Sequence, residues 1–294
     1  MIKGRRFLKR RLPWRGSVKI NMKIYLMTDL EGVAGVMDFL NWCAPEARYY
    51  ETAKEFLTLE TNAAIEGFFD GGASSIVVAD GHGPGAVNVK LLDSRVQLMR
   101  GWPPGPWPLG LDSSFDAIAW VGQHAKSGTT RSHLTHTQDF IYQDLSINGI
   151  SIGEFGQLAM CASELGVRAI FAAGEQALAS EAKKLVPGIE TVAVKRGLNT
   201  ESGKSLARKS YMDFNTAAVH LQPVKAREMI KAGAKRAVER AKREKFGFIS
   251  LKPPFRRMTV LRPDELNQKR IEHSVHSKSV IALMNMPENY SVTR

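Results

Sequence analysis

The residues with the greatest chemical capacity are acidic side chains and histidines that follow short β-type runs. T-D-L-E-G at 28–32 closes the first such run, and in extended backbone Asp29 and Glu31 share a side, presenting two carboxylates together. A-D-G-H-G at 79–83 closes the second run and sets His82 just past its end, and Q-H-A at 123–125 does the same for His124. G-E-F-G at 153–156 opens a helical stretch with Glu154 in its first turn. Each residue alone has an ordinary explanation as a loop hydrogen-bonder, a cap or a carboxylate favoured by a helix dipole. Together they deliver two imidazoles and three carboxylates towards one rim, because ligands of open α/β sheets bind outside the carboxyl ends of the strands.

Three carboxylates brought together without compensation repel one another and raise each other's pKa; a cation removes that cost. The mixed nitrogen and oxygen set suits zinc, with manganese, cobalt or iron as alternatives. One ion cannot use all five groups comfortably, whereas two ions about 3.5–4 Å apart, bridged by one carboxylate and a water, can. Two divalent ions then balance three carboxylates and a hydroxide, and the expected chemistry is hydrolysis. The segment S-G-T-T-R-S-H-L-T-H-T at 127–137 adds His133 and His136, either of which could overhang the rim as a general acid or base or orient a reacting carbonyl.

The elements that must carry these groups alternate short β-type runs with longer helical ones, predicting an α/β fold: a largely parallel sheet flanked by helices, with a smaller C-terminal α+β portion. Strands are expected at 23–28, 75–79, 96–99, 117–122, 168–172 and 191–195. Helices are expected at 47–70, 153–164, 176–186 and from Pro223 to about Lys245. On the first, Phe56, Leu59, Ala63, Gly67 and Phe68 lie near helical spacing, and its small residues suggest close approach to a sheet. On the last, Ile230, Ala234, Ala237, Val238 and Ala241 make an apolar stripe, so its charges read as a solvated face. Four prolines and three glycines at 101–110 make a shaped loop, Asn148-Gly149 inside 140–152 makes a hairpin, and the polar stretch 197–213 reads as a loop.

At 294 residues, 44% hydrophobic and 24% charged, the chain suits one or two globular domains with a sizeable core. No apolar run reaches the length of a membrane span, which excludes a spanning helix, and two cysteines, Cys43 and Cys161, provide no disulfide framework and suit a reducing cytoplasm. Eight of the twelve net positive charges lie in residues 1–21, which hold no acid. That segment reads as an arm for nucleic acid or anionic lipid, as a disordered extension, or as an over-extended start to a chain beginning at Met22. The expected organisation is a basic tail at 1–21, a metal-binding catalytic α/β domain at 22–196 and a smaller α+β portion at 197–294.

TDLEG, VVADGHG, GLDSSFDAIAWVGQHA, HLTHT and NGISIGEFG, in this order and spacing, resemble the zinc-dependent D-aminopeptidase (DppA) family from about Met22 to Ala241. The resemblance implies a metal-dependent aminopeptidase that cleaves short peptides with an N-terminal D-amino acid and assembles into ring-like homo-oligomers. It places the metal ligands on Asp29, Glu31, His82, His124 and Glu154. Asp29 would bridge two zinc ions, with Glu31 and His82 completing one site and His124 and Glu154 the other. It places the catalytic histidine on His136, whose T-H-T context matches, ahead of His133. Thr28 and Gly81 stand where the family has serines, G-E-Q at 174–176 where G-D-D is common, and 197–213 looks inserted. The competing readings are a metal-dependent amidase or deacylase on a non-peptide substrate, a nucleic-acid or membrane-surface binder acting through the tail, and a catalytically silent relative.

Overall fold

The computed structural model describes residues 21–292, so all but the last residue of the basic N-terminal segment lies outside them. In chain order the elements are β1 (Met22–Thr28), α1 (Phe39–Trp42), α2 (Tyr50–Asp70), β2 (Ala73–Asp80), β3 (Gln97–Met99) and β4 (Ala117–Gln123). Then come β5 (Tyr142–Ile147), β6 (Ile150–Ser151), α3 (Glu154–Glu164), β7 (Arg168–Glu175), α4 (Gln176–Leu185) and β8 (Glu190–Gly197). The chain continues through α5 (Arg208–Phe214), β9 (Ala218–His220), α6 (Pro223–Ala241), β10 (Phe255–Leu261), β11 (Arg270–His276), α7 (Val280–Met284) and β12 (Ser291–Val292).

The main sheet runs β3-β2-β1-β4-β7-β8-β9 and is parallel except for β9, which pairs antiparallel with β8. Its central strands are buried on both faces, as parallel strands under two helical layers must be. Ile24 and Leu26 of β1 point into a core with α2 and α6, and Tyr25 and Met27 into a core with α3 and α4. The α6 stripe is buried as its spacing predicts. The small face of α2 serves α6 as well as the sheet: a Cβ on Gly67 would lie 2.2 Å from the Lys231 carbonyl oxygen, so only glycine permits that crossing.

A second, antiparallel sheet runs β12-β11-β10-β5-β6 and packs with α7 against the outer side of α3. The predicted hairpin is present, and Asn148 and Gly149 both take the positive φ angles of its tight turn, 51° and 78°. Segments on both sides of residue 197 contribute to each sheet. The stretch expected as a loop at 197–213 instead contains most of α5, whose Tyr211 is buried. Its cause lies outside the segment: the buried Arg262 guanidinium packs over the Tyr211 ring at 3.6 Å and donates to the carbonyls of Gly203, Lys204 and Leu206.

Candidate metal centre

Parallel pairing sets Thr28 beside both Asp80 and Val121, so β1, β2 and β4 end together and release their following residues onto one rim. β1 stops at Thr28, which places Asp29 and Glu31 in a turn beyond the strand and not in the extended backbone the spacing suggested. That turn is drawn down onto β4: Gly32 donates its N–H to the Gly122 carbonyl at 2.7 Å. A Cβ on Gly122, whose φ is +75°, would lie 1.9 Å from the Asp29 carbonyl oxygen. Glycine is therefore obligatory where the two strand ends touch.

All five expected ligands and His136 converge there. His82 Nδ1 lies 3.3 Å from both Asp29 Oδ1 and Glu31 Oε2. On the other side His124 Nε2 lies 3.3 Å from Asp29 Oδ2 and 3.7 Å from Glu154 Oε1, and His136 Nε2 lies 3.9 Å from the same Glu154 oxygen. The groups form two triads able to hold an ion, Asp29–Glu31–His82 and His124–His136–Glu154, with the two oxygens of Asp29 facing one triad each.

The imidazoles are set for ligation by bonds on their far sides. His82 Nε2 contacts the Cys43 carbonyl at 2.8 Å, His124 Nδ1 the Ala125 carbonyl at 2.9 Å, and His136 Nδ1 the Leu134 carbonyl at 2.9 Å. Carbonyls only accept, so those nitrogens carry the protons and the opposite nitrogens turn lone pairs towards the carboxylates. His124 Nε2 and Glu31 Oε2 are buried with no hydrogen-bond partner, the condition expected of atoms whose partner is a cation. Burial opposes charge on His82 and His124, yet the neighbouring carboxylates outweigh it and hold both well above the usual histidine range. Burial likewise opposes ionisation of Asp29, and the two histidines bring it well below the usual carboxylate range. Without an ion, the cluster keeps its charges balanced only by attracting protons. The donor set fits divalent metal.

Sequence reading missed several participants. Gln123 donates from Nε2 to Asp29 Oδ2 at 2.8 Å and reaches Glu154 Oε2 at 3.5 Å, joining the two triads; its only sequence signal was adjacency to His124. The proline- and glycine-rich loop returns over the rim, where Trp102, Trp107 and Leu109 wall a cavity of about 320 Å³ whose floor includes Asp29, Glu31, His82, His136 and Glu154. His133, by contrast, is turned away. Its Nε2 contacts the Met37 carbonyl at 3.0 Å, and its ring meets His220 edge-on. Burial, with Lys195 and His220 adding to it, pushes its pKa down to about 2.

The two departures beside the ligands also acquire explanations. Thr28 sends its hydroxyl to the Ala79 carbonyl. A Cβ on Gly81 would lie 2.4 Å from Met27 Sδ, so the bulk of Met27 fills the space a serine would need.

Residues 22–263 match the sequence profile of peptidase family M55, described as D-aminopeptidase. The chain is 30% identical over 188 residues to a D-aminopeptidase of Bacillus subtilis (strain 168), a match covering 63% of this chain and 68% of that protein. Its fold is similar to that of a solved structure, the Zn-dependent D-aminopeptidase DppA from Bacillus subtilis, a self-compartmentalizing protease. The TM-score is 0.75 at 21% identity, covering 90% of this chain and 94% of that one.

Proposed function

The chain belongs to the M55 family of D-aminopeptidases, and on that premise we propose that it hydrolyses short peptides with an N-terminal D-amino acid at a two-metal centre. The observation that carries this reading is the division of Asp29 between two triads, one oxygen to each. Asp29, Glu31 and His82 would hold one ion, and Asp29, His124 and Glu154 would hold the other. The nitrogen and oxygen donors favour zinc, the metal of the structurally similar Bacillus enzyme. When bound, the metal pair supplies Lewis acidity and activates water near neutral pH.

The protein's own groups do the rest. Hydrolysis adds hydroxyl to the acyl carbon and a proton to the departing amine as the C–N bond breaks. His136 is placed to hold and deliver that proton at Nε2, because its Nδ1–H is committed to Leu134. Its ring is fixed between His124, with centroids 4.1 Å apart, and Phe140, at 4.5 Å. The substrate's charged amino terminus finds carboxylates at the cavity floor, and its side chain finds the wall of Trp102, Trp107 and Leu109.

A second reading of one residue has its own support: His136 groups within 4.8 Å with His124 and Glu154, so it could ligate the second ion instead. His136→Ala separates the two roles, since loss of activity with both ions retained assigns it to proton transfer. The comparison with a self-compartmentalizing protease supports a homo-oligomer, to be measured by light scattering on the eluting protein. Among the described residues no helix is long and apolar enough to cross a membrane.

The deciding experiment is elemental analysis of protein purified without chelator, paired with a panel of D- and L-amino-acid amides, short peptides and acyl amides. Two ions per chain and release of free D-amino acids are expected. Cleavage of acyl amides alone would transfer the site to an amidase, and full activity without metal would end the proposal.

A further inference from the structure

Two carboxylates that touch no ligand side chain hold together the backbone around the second triad. Glu175, the last residue of β7, is fully buried. It stands at the N-cap of α4, yet its side chain makes no bond to its own helix. Its Oε1 accepts the N–H of Ala125 at 2.8 Å and its Oε2 accepts the N–H of His133 at 2.6 Å. One carboxylate thus ties the residue after His124 to the loop that carries His136 three positions later. Glu181, one and a half turns further along α4, repeats the device. Its Oε2 accepts the N–H of Lys126 at 2.9 Å and its Oε1 the N–H of Gly153 at 3.3 Å, joining the segment after His124 to the residue before Glu154.

We infer that Glu175 and Glu181 are positioning residues that assemble the second metal site, a role that rests on the two-metal reading above. The three members of that triad come from a strand end, an irregular loop and a helix start, which no sheet register aligns. The two clamps supply the missing alignment: each spans a different pair of the three segments, and His124's segment belongs to both. Among the described residues no carboxylate spans the segments of the first triad, which follow the adjacent paired strands β1 and β2; Arg100 instead donates to the carbonyls of Asp80, His82 and Gly83, all within one segment. The chemistry also demands carboxylates. Each clamp presents two acceptors to two N–H donors, and a glutamine amide has one acceptor and sets its NH₂ against the other donor. Burial raises the Glu175 carboxyl to about 7, a rise that the Ala125 and His133 N–H groups and then Lys195 oppose.

The test is zinc binding by wild type, Glu175→Gln and Glu181→Gln, with stoichiometry from native mass spectrometry and affinities from chelator competition. Circular dichroism establishes that each variant is folded. Wild type is expected to bind two ions. Each variant is expected to keep the first affinity and lose about 10- to 100-fold in the second, the scale on which partners of metal ligands act. If Glu175→Gln does not fold, the less deeply set Glu181→Gln carries the test. Folded variants that bind both ions as wild type does, or that weaken both equally, overturn the inference. A wild-type protein that binds fewer than two ions overturns the two-metal reading itself.

Discussion

The two triads meet at Asp29 but are built by different means. Asp29, Glu31 and His82 follow the ends of adjacent parallel strands, and all three are buried. Main-chain pairing sets their spacing before any side chain acts. His124, His136 and Glu154 come from three kinds of backbone, and Glu154 is only partly buried. The first triad is therefore a property of the sheet, whereas the second is a property of bonds between loops. A site of the first kind tolerates changes in its surroundings, and one of the second kind depends on them.

Asp29 is the point where that distinction should vanish. Asp29→Ala removes an oxygen from each triad, so both ions are expected to leave together, whichever way their sites were built. Activity should fall by a thousandfold or more, roughly the several kcal/mol that Lewis-acid catalysis contributes. Elemental analysis and turnover on the same sample measure both. His124→Ala should instead leave the first ion bound. Retention of two ions in either variant would show that the triads are not the metal sites.

Gln123 tests the comparison more finely. Its amide touches Asp29, which serves both triads, and Glu154, which serves the second alone. Gln123→Leu keeps the volume and removes the donor. Affinity for the second ion should drop about 10- to 100-fold and that for the first by less. Equal losses, read by chelator competition, would mean that the amide acts through Asp29 only.

What the sequence disclosed follows the same division. Strand ends announce themselves through apolar runs and the polar residues after them, so Asp29, Glu31, His82 and His124 could be placed on one rim from the sequence alone. Glu154 was legible because a helix start is also a local signal. The 101–110 loop was recognisable as shaped, but not as a wall of the cavity, since that depends on where a chain without periodicity returns. The helix at 208–214 was missed because its stability comes from Arg262, some fifty residues later. Glu175 showed only as a departure from the family's G-D-D, and Glu181 left no readable sign, because a carboxylate bound to two distant N–H groups looks like any other.

The tryptophan wall offers a change that should spare both triads. Trp102→Ala opens the cavity above the ligands without touching them. Loss of a partly buried aromatic contact of about 1.4 kcal/mol raises KM roughly tenfold for substrates with a large apolar side chain. Turnover at saturation and metal content should stay near wild type, and substrates with small side chains should respond less. A fall in metal content would show that the loop supports the centre as well as the substrate.

A separate effect, on stability and not on the centre, concerns His133, which shares its loop with His136 and has the opposite fate. Buried at the Met37 carbonyl beside Lys195 and His220, it holds its proton-free form down to about pH 2, against an ordinary value of 6.5. Below pH 6.5 the unfolded chain binds a proton at this position that the folded protein refuses. Its contribution to stability is thus complete above about 6.5 and is lost as pH falls towards 2, at no more than about 1.4 kcal/mol per pH unit. His133→Gln retains an N–H for Met37 and removes the titration. Denaturant melts of both proteins at pH 6.5, 5.5 and 4.5 should show the variant losing stability less steeply, by up to that amount per unit. Parallel slopes would mean that His133 takes up its proton in the folded state. In that case the anchor of the second triad's loop would be weaker than its burial implies.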